Sequence, residues 1–332
     1  MNTPDLVGES GYVGKDYPYL FIPDRLWMSK TNKKGNVKWL SYALITPRMR
    51  FDISSIGTGT SGSMKNISKP NFLNLSVTVP QIEEQQKIAD FLTTVDDKIQ
   101  QLTRKKSLLE DYKKGIVQQI FSQQIRFKAD DGSEFPEWEE KVLGEVGTFQ
   151  TSSVDKLSRD NEQQVFLVNY MNVYRHESIS QSSRSKLQVV TANDNQVKKS
   201  DLKKGDILFT PSSETPIDIG HSVVIFEDLE NTVYSYHLMR FRPKVELDIR
   251  YSHYFCNIIP VLKQLSSYAT GSTRFTISVG NFSKVIVPLP SLKEQQKIAD
   301  FLLALDTKIE QVNTQQQQTK TFKKGLLQKM FV

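Results

Sequence analysis

The chain carries the stretch Glu84-Gln85-Gln86-Lys87-Ile88-Ala89-Asp90-Phe91-Leu92 twice, because residues 294–302 repeat it letter for letter at an offset of 210. The same offset holds through both flanks of this stretch. Toward the N-terminus the offset becomes 212, and residues 1–122 then match residues 213–332 from end to end. An internal repeat fixes the domain organisation, so the other patterns are interpreted within it.

The two copies of the repeat are unequal, because residues 123–212 occur once. The second copy begins near Trp138, roughly 75 residues before Ser213, where the match to Met1 starts. Half a globule cannot bury its own apolar face. We therefore predict that the first copy is truncated and lacks a front part of similar length.

The second copy has the pattern of a mixed α/β globule. Its strand-like runs are β-branched or aromatic and are bounded by polar, Gly or Pro residues. They lie at 164–168, 206–210, 222–226, 237–241 and 284–287. A helix-like stretch covers about 248–265. We predict fold class α+β, with residues 1–80 repeating the second half of this globule.

The block after each globule is predicted to be helical, because its apolar residues advance by three or four positions. In the first copy this seam comprises Ile88, Leu92, Val95, Ile99, Leu102 and Leu109, followed by Tyr112, Ile116 and Ile120. In the second copy it comprises Ile298, Leu302, Leu305, Ile309 and Val312, followed by Phe322, Leu326 and Met330. Thr94 or Asp96 is a candidate cap that would divide the block into a short and a long helix.

Two such seams in one chain allow two kinds of pairing. The helices can form a coiled coil between chains, or they can pair with each other in antiparallel fashion. We favour the antiparallel pair, which would act as a spacer that holds two globules a fixed distance apart. The run Gln315-Gln316-Gln317-Gln318 is expected to pack less tightly than the rest of the seam.

The composition is that of a soluble globular protein, with 38% hydrophobic and 24% charged residues. Its net charge of +6 permits a polyanionic partner without requiring one. The single cysteine, Cys256, lies in an apolar run and is predicted to be a buried, unreactive thiol. We expect a cytoplasmic protein, because no signal-peptide pattern and no apolar run of ~20 residues is present.

The repeated blocks closely resemble the conserved regions of type I restriction–modification specificity subunits. The second block reads VPLPSLKEQQKIADFLLALDTKIEQ at 287–311 and ends in FKKGLLQKMF at 322–331. The first block reads VPQIEEQQKIADFLTTVDDKIQQ at 79–101. Residues 126–138 are similar to the family's entry into a second target-recognition domain. The resemblance covers essentially the whole chain, but family members usually open with a complete first domain.

The resemblance implies a DNA reader without an active site. Such subunits carry two target-recognition domains, and each reads one half of a split site in double-stranded DNA. Two antiparallel conserved helices space these domains. Modification subunits, which are adenine methyltransferases, dock on the helices, and restriction endonuclease subunits join to cut DNA.

On this basis we predict five segments in the chain. They are a partial first target-recognition domain (1–80), a central spacer helix (81–124), a linker (125–138), a second target-recognition domain (139–290) and a distal spacer helix (291–332).

Polar loops beside strands are the candidate DNA-contacting positions, because sequence is read by side chains at base edges. A carboxylate accepts from the cytosine amino group, and arginine suits guanine or phosphate. In the second domain the candidates are Asn169, Tyr170, Ser212, Ser213, Glu214, Thr215, Gly271, Ser272, Thr273 and Arg274. In the first domain they are Ser61, Gly62 and Lys65. From the residues alone, each loop is equally explained as a solvated turn.

No pattern supports catalysis, a metal site or a cofactor. Residues 57–62 fit G-x-G-x-x-G but precede no helix pattern, so we interpret them as a loop. Four histidines around one cysteine have no zinc-ligand spacing. The Asp/Asn-Pro-Pro-aromatic tetrapeptide of adenine methyltransferases is absent from the sequence.

Two alternatives to a DNA-reading subunit remain at this point. The chain can be a coiled-coil scaffold that assembles proteins without reading DNA. It can also be the detached recognition part of a single-chain restriction–methylation enzyme.

Overall fold

A computed structural model of the chain describes residues 7–24, 26–32, 34–61 and 64–331. The chain divides into two compact units. The first unit contains residues 1–109 and 309–332, and the second unit contains residues 110–308.

The first unit is mainly helical in its described part. Its elements are α1 (Val37–Leu44), α2 (Pro47–Ser55), β1 (Thr58–Ser61), β2 (Met64–Asn66), α3 (Lys69–Leu73) and the start of α4 (Ile82–Phe121). The short helices begin at side-chain caps, because Asn36, Thr46 and Ser68 accept from amides of the first turns of α1, α2 and α3. Strands β1 and β2 form an antiparallel hairpin.

The second unit contains the remaining strands and most of the helices. In chain order they are β3 (Glu139–Val142), α5 (Leu143–Val146), β4 (Gly147–Thr151), β5 (Gln163–Val168), α6 (Tyr170–Tyr174), β6 (Gln188–Ala192), α7 (Asp194–Lys199), β7 (Ile207–Phe209), β8 (Ser212–Ser213), β9 (Ser222–Val224), β10 (Thr232–Tyr234), β11 (Met239–Pro243), α8 (Ile249–Phe255), α9 (Ile259–Tyr268), β12 (Phe275–Thr276), α10 (Val279–Ser283), β13 (Ile286–Leu289) and the start of α11 (Leu292–Met330). Each of the five predicted strand runs contains a strand.

Strand pairing in the second unit joins strands from residues 139–213 to strands from residues 222–289. One sheet has the order β4-β11-β7-β9 and another the order β10-β5-β6. Two-stranded sheets pair β13 with β3 and β12 with β8. All of these pairs are antiparallel except β10 with β5. The mixture of helices and sheets confirms the predicted α+β class.

The prediction of one helix over 248–265 is wrong, because this stretch forms two helices. Asp248 caps α8, which ends at Phe255, and α9 starts at Ile259. Pro260 lies in the first turn of α9, where it lacks the amide that a continuous helix would need.

The main core of the second unit packs its sheet and helices against the long helices α4 and α11. Phe209, Phe241 and Phe282 are fully buried in this core. Ile298 and Leu302 of α11 reach the same cluster. The end of α4 and the start of α11 are therefore part of the core of the second unit.

The helices α4 and α11 pair in antiparallel fashion within each unit. In the first unit Asp96 contacts Lys323 at 2.6 Å, Thr103 contacts Gln316 at 2.5 Å, and Lys106 contacts Asn313 at 3.0 Å. In the second unit Lys113 forms an ion pair with Asp306. The numbers of each pair add to the same total, so the register of the seam is constant.

The apolar seam lies between α4 and α11. The positions Ile88 to Leu109 and Ile298 to Val312 of the predicted seam are buried or half-buried, and Leu92, Leu302 and Leu102 are almost inaccessible. Tyr112 and Phe322, in contrast, are more than half exposed, so their assignment to the seam is wrong. The prediction of a cap at Thr94 or Asp96 is also wrong, because Thr94 donates to the Asp90 carbonyl inside a continuous helix.

One polar contact anchors each globule to its long helix, and it occurs in both copies. The buried Gln295 side chain accepts from the Asp248 amide at 3.0 Å and donates to the Pro290 carbonyl at 2.9 Å. Gln85 accepts from the Asn36 amide at 2.8 Å and donates to the Pro80 carbonyl at 2.8 Å. We call this contact the glutamine anchor.

A second repeated contact joins the ion pairs of the seam to a tyrosine. The Tyr42 hydroxyl donates to Asp96 at 2.8 Å, and the Tyr254 hydroxyl donates to Asp306 at 2.7 Å. Burial, together with the neighbouring Asp96, raises the pKa of Tyr42 to about 12. The phenol therefore stays protonated and remains a donor at neutral pH.

In the part of the chain that the structure describes, no helix has the length and apolarity needed to cross a membrane.

We predict that Gln295→Leu destabilises the second unit by about 2–4 kcal/mol, because the half-buried Asp248 amide and the buried Pro290 carbonyl both lose their bonds to this side chain. The urea dependence of Cys256 labelling would measure this loss, since Cys256 lies in the core of that unit. The neighbouring Gln296 is exposed, so Gln296→Leu is the matched control. Equal urea midpoints for the two variants would contradict an anchoring role.

We predict that Cys256 reacts with a thiol reagent at least ~100-fold more slowly in the native protein than in urea. Its side chain is fully buried, and burial raises the pKa of the thiol, so the reactive thiolate is both shielded and rare. Stopped-flow labelling with a chromogenic disulfide measures both rates. Rapid labelling of the folded chain would show that this core opens readily.

Candidate nucleic-acid interface

Three chain segments that are far apart in sequence meet at Ser212 in the second unit. The Tyr170 hydroxyl donates to the Ser212 carbonyl at 3.1 Å. The Arg274 guanidinium donates to the Ser212 hydroxyl at 3.3 Å. The structure thus brings together all three loops of the second domain that the sequence singled out. We call their shared surface the Ser212 surface.

The first segment follows β5 and is held by a helix cap. Asn169 accepts from the Tyr170 amide, and its own amide donates to the Asn172 side chain at 2.8 Å. Asn169 is therefore occupied as the cap of α6. Tyr170 and Tyr174 are one helical turn apart, and their rings stack with centroids 5.8 Å apart.

The second and third segments are joined by a short sheet. Strand β8 pairs with β12, with Ser213 opposite Phe275 and Ser212 opposite Thr276. Gly271 lies in the tight turn before β12 at a φ of 141°. A side chain at Gly271 would clash with the carbonyl oxygen of Arg274, so glycine is required for this turn.

The predicted positions differ in how accessible they are. Ser212 and Ser213 are buried and bonded within the protein, because the Ser213 hydroxyl also accepts from the Thr215 amide at 3.4 Å. Glu214, Thr215 and residues 271–274 are exposed beside them. The two serines therefore support the surface, while the exposed residues are free to meet a ligand.

The positive charge of Arg274 acts on two neighbouring side chains, His237 and Tyr170. Burial, followed by the positive charges of Arg274 and Lys156, lowers the pKa of His237. Burial and the negative charge of Asp218 raise the pKa of Tyr170, and Arg274 opposes this shift. The Tyr170 phenol therefore remains a neutral hydrogen-bond donor beside a positive group.

A hydrogen-bond network that the sequence reading missed lies beside the two tyrosines. Tyr174 donates to Asp218 at 3.0 Å, and the other oxygen of Asp218 lies 2.8 Å from His221. His221 in turn lies 3.2 Å from His176, whose second ring nitrogen is 3.0 Å from the Ser222 carbonyl. In the sequence, only the i, i+4 spacing of Tyr170 and Tyr174 could have pointed to this network. The two histidines are 45 residues apart, so their contact could not be predicted.

The counterpart of this surface in the first unit is only partly described. Ser61 and Lys65 belong to β1 and β2, whose hairpin pairs Thr58 with Asn66. Thr270 and Thr276 pair in the same way in the second unit. The change of offset from 212 to 210 therefore lies between Thr58 and Asn66. Gly62 lies outside the described residues.

This hairpin corrects the interpretation of residues 57–62 as a loop, since residues 58–61 form a strand. A phosphate-binding turn of this motif would open a helix instead. Among the described residues, no group of three or more His, Cys, Asp or Glu side chains is placed to hold a metal ion.

Two relatives from Methanocaldococcus jannaschii match most of the chain. The type I restriction enzyme MjaVIII specificity subunit is 26% identical over 314 residues, covering 90% of this chain and 70% of that protein. The putative type I restriction enzyme MjaX specificity subunit is 24% identical over 283 residues, covering 80% of this chain and 60% of that protein. The chain thus spans 60–70% of the length of these relatives.

Three solved structures share the fold, and each is matched over 90% of this chain. The HsdS subunit of Thermoanaerobacter tengcongensis has a TM-score of 0.50 at 14% identity, with 71% of its length covered. The type I S subunit of M. genitalium has a TM-score of 0.51 at 17% identity, with 73% covered. A chain from a structure of type I restriction–modification complex assembly and conformational transition has a TM-score of 0.55 at 15% identity, with 72% covered.

The family model described as the type I restriction modification DNA specificity domain matches residues 10–111 and 136–320. These stretches include most of both copies of the repeat and nearly all of the second globule. Since they make up most of the chain, the protein belongs to the family of type I restriction–modification DNA specificity domains.

Proposed function

We propose that the second unit reads one half of a split double-stranded DNA site through the Ser212 surface. The observation that carries this proposal is the convergence of Tyr170, Glu214 and Arg274 around one buried serine. Residues for direct reading need a rigid support, because base discrimination depends on hydrogen-bond geometry. The β8–β12 pair and the cap of α6 supply this support.

The exposed groups suit the major groove of DNA. A guanidinium can donate two parallel hydrogen bonds to guanine, and the contact of Arg274 with Ser212 leaves its other N–H groups available. Glu214 is exposed and is suited to accept from a cytosine amino group. Tyr170 and the histidine network fix the position of the intervening loop.

The paired helices α4 and α11 are proposed to carry the partner subunits. Because these helices are related by the repeat, they present the same kind of surface twice. The exposed aromatics Tyr112 and Phe322 occupy equivalent positions, with 52% and 55% of their surface accessible. Aromatic side chains are enriched where proteins bind each other. This supports docking of two copies of a modification methyltransferase, with restriction endonuclease subunits joining the complex.

The chain itself is proposed to be non-catalytic. Methylation and cleavage would be performed by the partner subunits, and this chain would supply the choice of site.

We predict that Arg274→Ala weakens binding of the assembled methyltransferase complex to its cognate DNA by about 10–100-fold, the equivalent of 1–3 kcal/mol for a base contact. Fluorescence anisotropy on cognate and random duplexes measures the effect. Equal losses on both duplexes would identify a phosphate contact, and unchanged binding would exclude Arg274 from the interface. Lys293→Ala is the matched control, since Lys293 is an exposed cation at the start of α11.

We predict that Glu214→Gln alters the methylated motif at one position, because an amide can donate as well as accept. Methylome sequencing of cells that express the chain with its partner subunits gives the motif for both proteins. A motif unchanged in every position would remove Glu214 from the reading residues. Failure of the chain to co-purify with a methyltransferase and to bind DNA would favour the scaffold alternative instead.

A further inference from the structure

The loop between β8 and β9 carries one apolar side chain that projects into solvent. Ile217 is 86% exposed. Among the large apolar residues of 110–308, all of which the structure describes, Leu157 follows at 61%. A single exposed apolar residue needs no explanation on an ordinary surface. Ile217 differs because it lies beside the Ser212 surface, on a loop that is held at both ends.

The far end of this loop is fixed by the main chain and by the core. The Gly220 amide donates to the Thr210 carbonyl at 3.1 Å, and the Thr210 amide donates to the His221 carbonyl at 2.9 Å. Gly220 has a φ of 82°, and a Cβ added there would lie 2.5 Å from the Leu265 side chain. The chain therefore passes this point in a left-handed turn that only glycine fits. Ile219, just before the turn, is buried.

The residues on either side of Ile217 are also held. The Asp218 carboxylate accepts from the Tyr174 hydroxyl at 3.0 Å and lies 2.8 Å from the His221 ring. Pro216 precedes Ile217, and its ring fixes its own φ. Isoleucine is branched at Cβ, which restricts its χ1 rotamers. Ile217 is therefore a stiff projection that loses little side-chain entropy when it meets a ligand.

The polar groups of the Ser212 surface lie around the same loop. Glu214 is exposed three residues before Ile217. Burial raises the pKa of the Tyr170 phenol, and the charges of Asp218 and Arg274 also act on it. The negative charge of Glu214 reaches the same phenol. The α-carbons of Glu214 and Ile217 are at most about 10 Å apart, or about three base-pair steps of DNA. The apolar side chain can therefore enter the same groove as the polar ones.

One group on the base edges of DNA is suited to an apolar partner. In the major groove the bases present amino donors, nitrogen and oxygen acceptors, and the C5 methyl group of thymine. Apolar contact with this methyl group is one way in which protein side chains distinguish bases. Arg274 and Glu214 suit the acceptors and donors, whereas Ile217 suits the methyl group.

We propose that Ile217 reads a thymine of the half-site by packing against its C5 methyl group. This inference rests on the proposed function, because it requires the Ser212 surface to enter the major groove. Asp218 and Gly220 act as positioning residues, since they hold the loop on which Ile217 lies. A base without the methyl group would leave the Ile217 side chain in contact with water, and binding would be weaker.

The proposal is tested with duplexes in which deoxyuridine replaces each thymine of the cognate site in turn. Uracil differs from thymine only in lacking the C5 methyl group. Fluorescence anisotropy measures the binding of the assembled methyltransferase complex to each duplex. We expect one position at which the replacement weakens binding by about 3–10-fold, the size expected for one buried methyl group. With Ile217→Ala this penalty should fall below ~2-fold, because the partner of the methyl group is gone.

The two proteins are compared on the same duplexes, so any effect of uracil on the DNA itself cancels. Ile217→Ala removes a side chain that is 86% exposed, so the fold is retained. Ile259→Ala is the matched control, since Ile259 is an exposed isoleucine at the start of α9, and it should keep the full penalty. Equal penalties for the unchanged chain and Ile217→Ala would overturn the proposal. A cognate site in which no deoxyuridine weakens binding would overturn it as well.

Two results separate a wrong role for Ile217 from a wrong role for the whole Ser212 surface. If Arg274→Ala weakens binding while Ile217→Ala keeps the uracil penalty, the surface reads DNA without a methyl contact, and only the role of Ile217 is wrong. If Arg274→Ala also leaves binding unchanged, the proposed function fails and the thymine contact with it.

Other partners of Ile217 would be recognised in the same experiment. Equal losses of binding to cognate and random duplexes with Ile217→Ala would assign this side chain to the DNA backbone. Loss of the methyltransferase from the purified Ile217→Ala complex would assign it to a partner subunit. Either result would overturn the reading of thymine.

Discussion

The buried seam between α4 and α11 is the contact on which both units depend. In the second unit α11 forms one wall of the main core through Ile298 and Leu302. In the first unit the described core is small, and Tyr42, Leu92 and Leu327 bury each other across the helix pair. The polar pairs of the seam fix its register, because a shift by one turn would separate Lys113 from Asp306 and Lys323 from Asp96. Half-buried ion pairs of this kind contribute modestly to stability, and their main effect is to exclude other alignments.

The glutamine anchor and the tyrosine–aspartate contact each occur in both units, so the repeated sequence forms the same contacts twice. Gln85 and Gln295 hold the start of a short helix against a long one, and Tyr42 and Tyr254 hold the same pair of helices through an aspartate. These contacts use none of the residues of the Ser212 surface, which is formed by other segments of the second unit. The Ser212 surface and the attachment to the helix pair are thus separate parts of one globule.

Much of the architecture follows from short-range patterns in the sequence. Helical periodicity predicted the seam because Leu92 and Leu302 recur with their neighbours on one face. The β-branched and aromatic run at 164–168 predicted a strand, which the structure places at Gln163–Val168. Tyr112 and Phe322 misled the same rule, since an apolar residue at the right spacing can still face solvent. The convergence of Tyr170, Glu214 and Arg274 could be suspected only loop by loop, because it depends on the pairing of β8 with β12. The histidine pair was not predictable, since its partners meet only after β7 and β9 align.

The glutamine anchor has a consequence for how such proteins can change. It uses a side chain of the long helix, one backbone amide of the globule and a proline carbonyl beside the helix start, and none of these groups belongs to the Ser212 surface. A globule with different loops but the same cap and proline would seat on the helix in the same way. Replacing the residues between the anchor at Gln85 and the anchor at Gln295 would therefore preserve the attachment of the globule to the helix. This holds even when the replacement changes most of the residues that a ligand would touch. The helix pair is thus a constant attachment site, and the globule attached to it can vary in its loops.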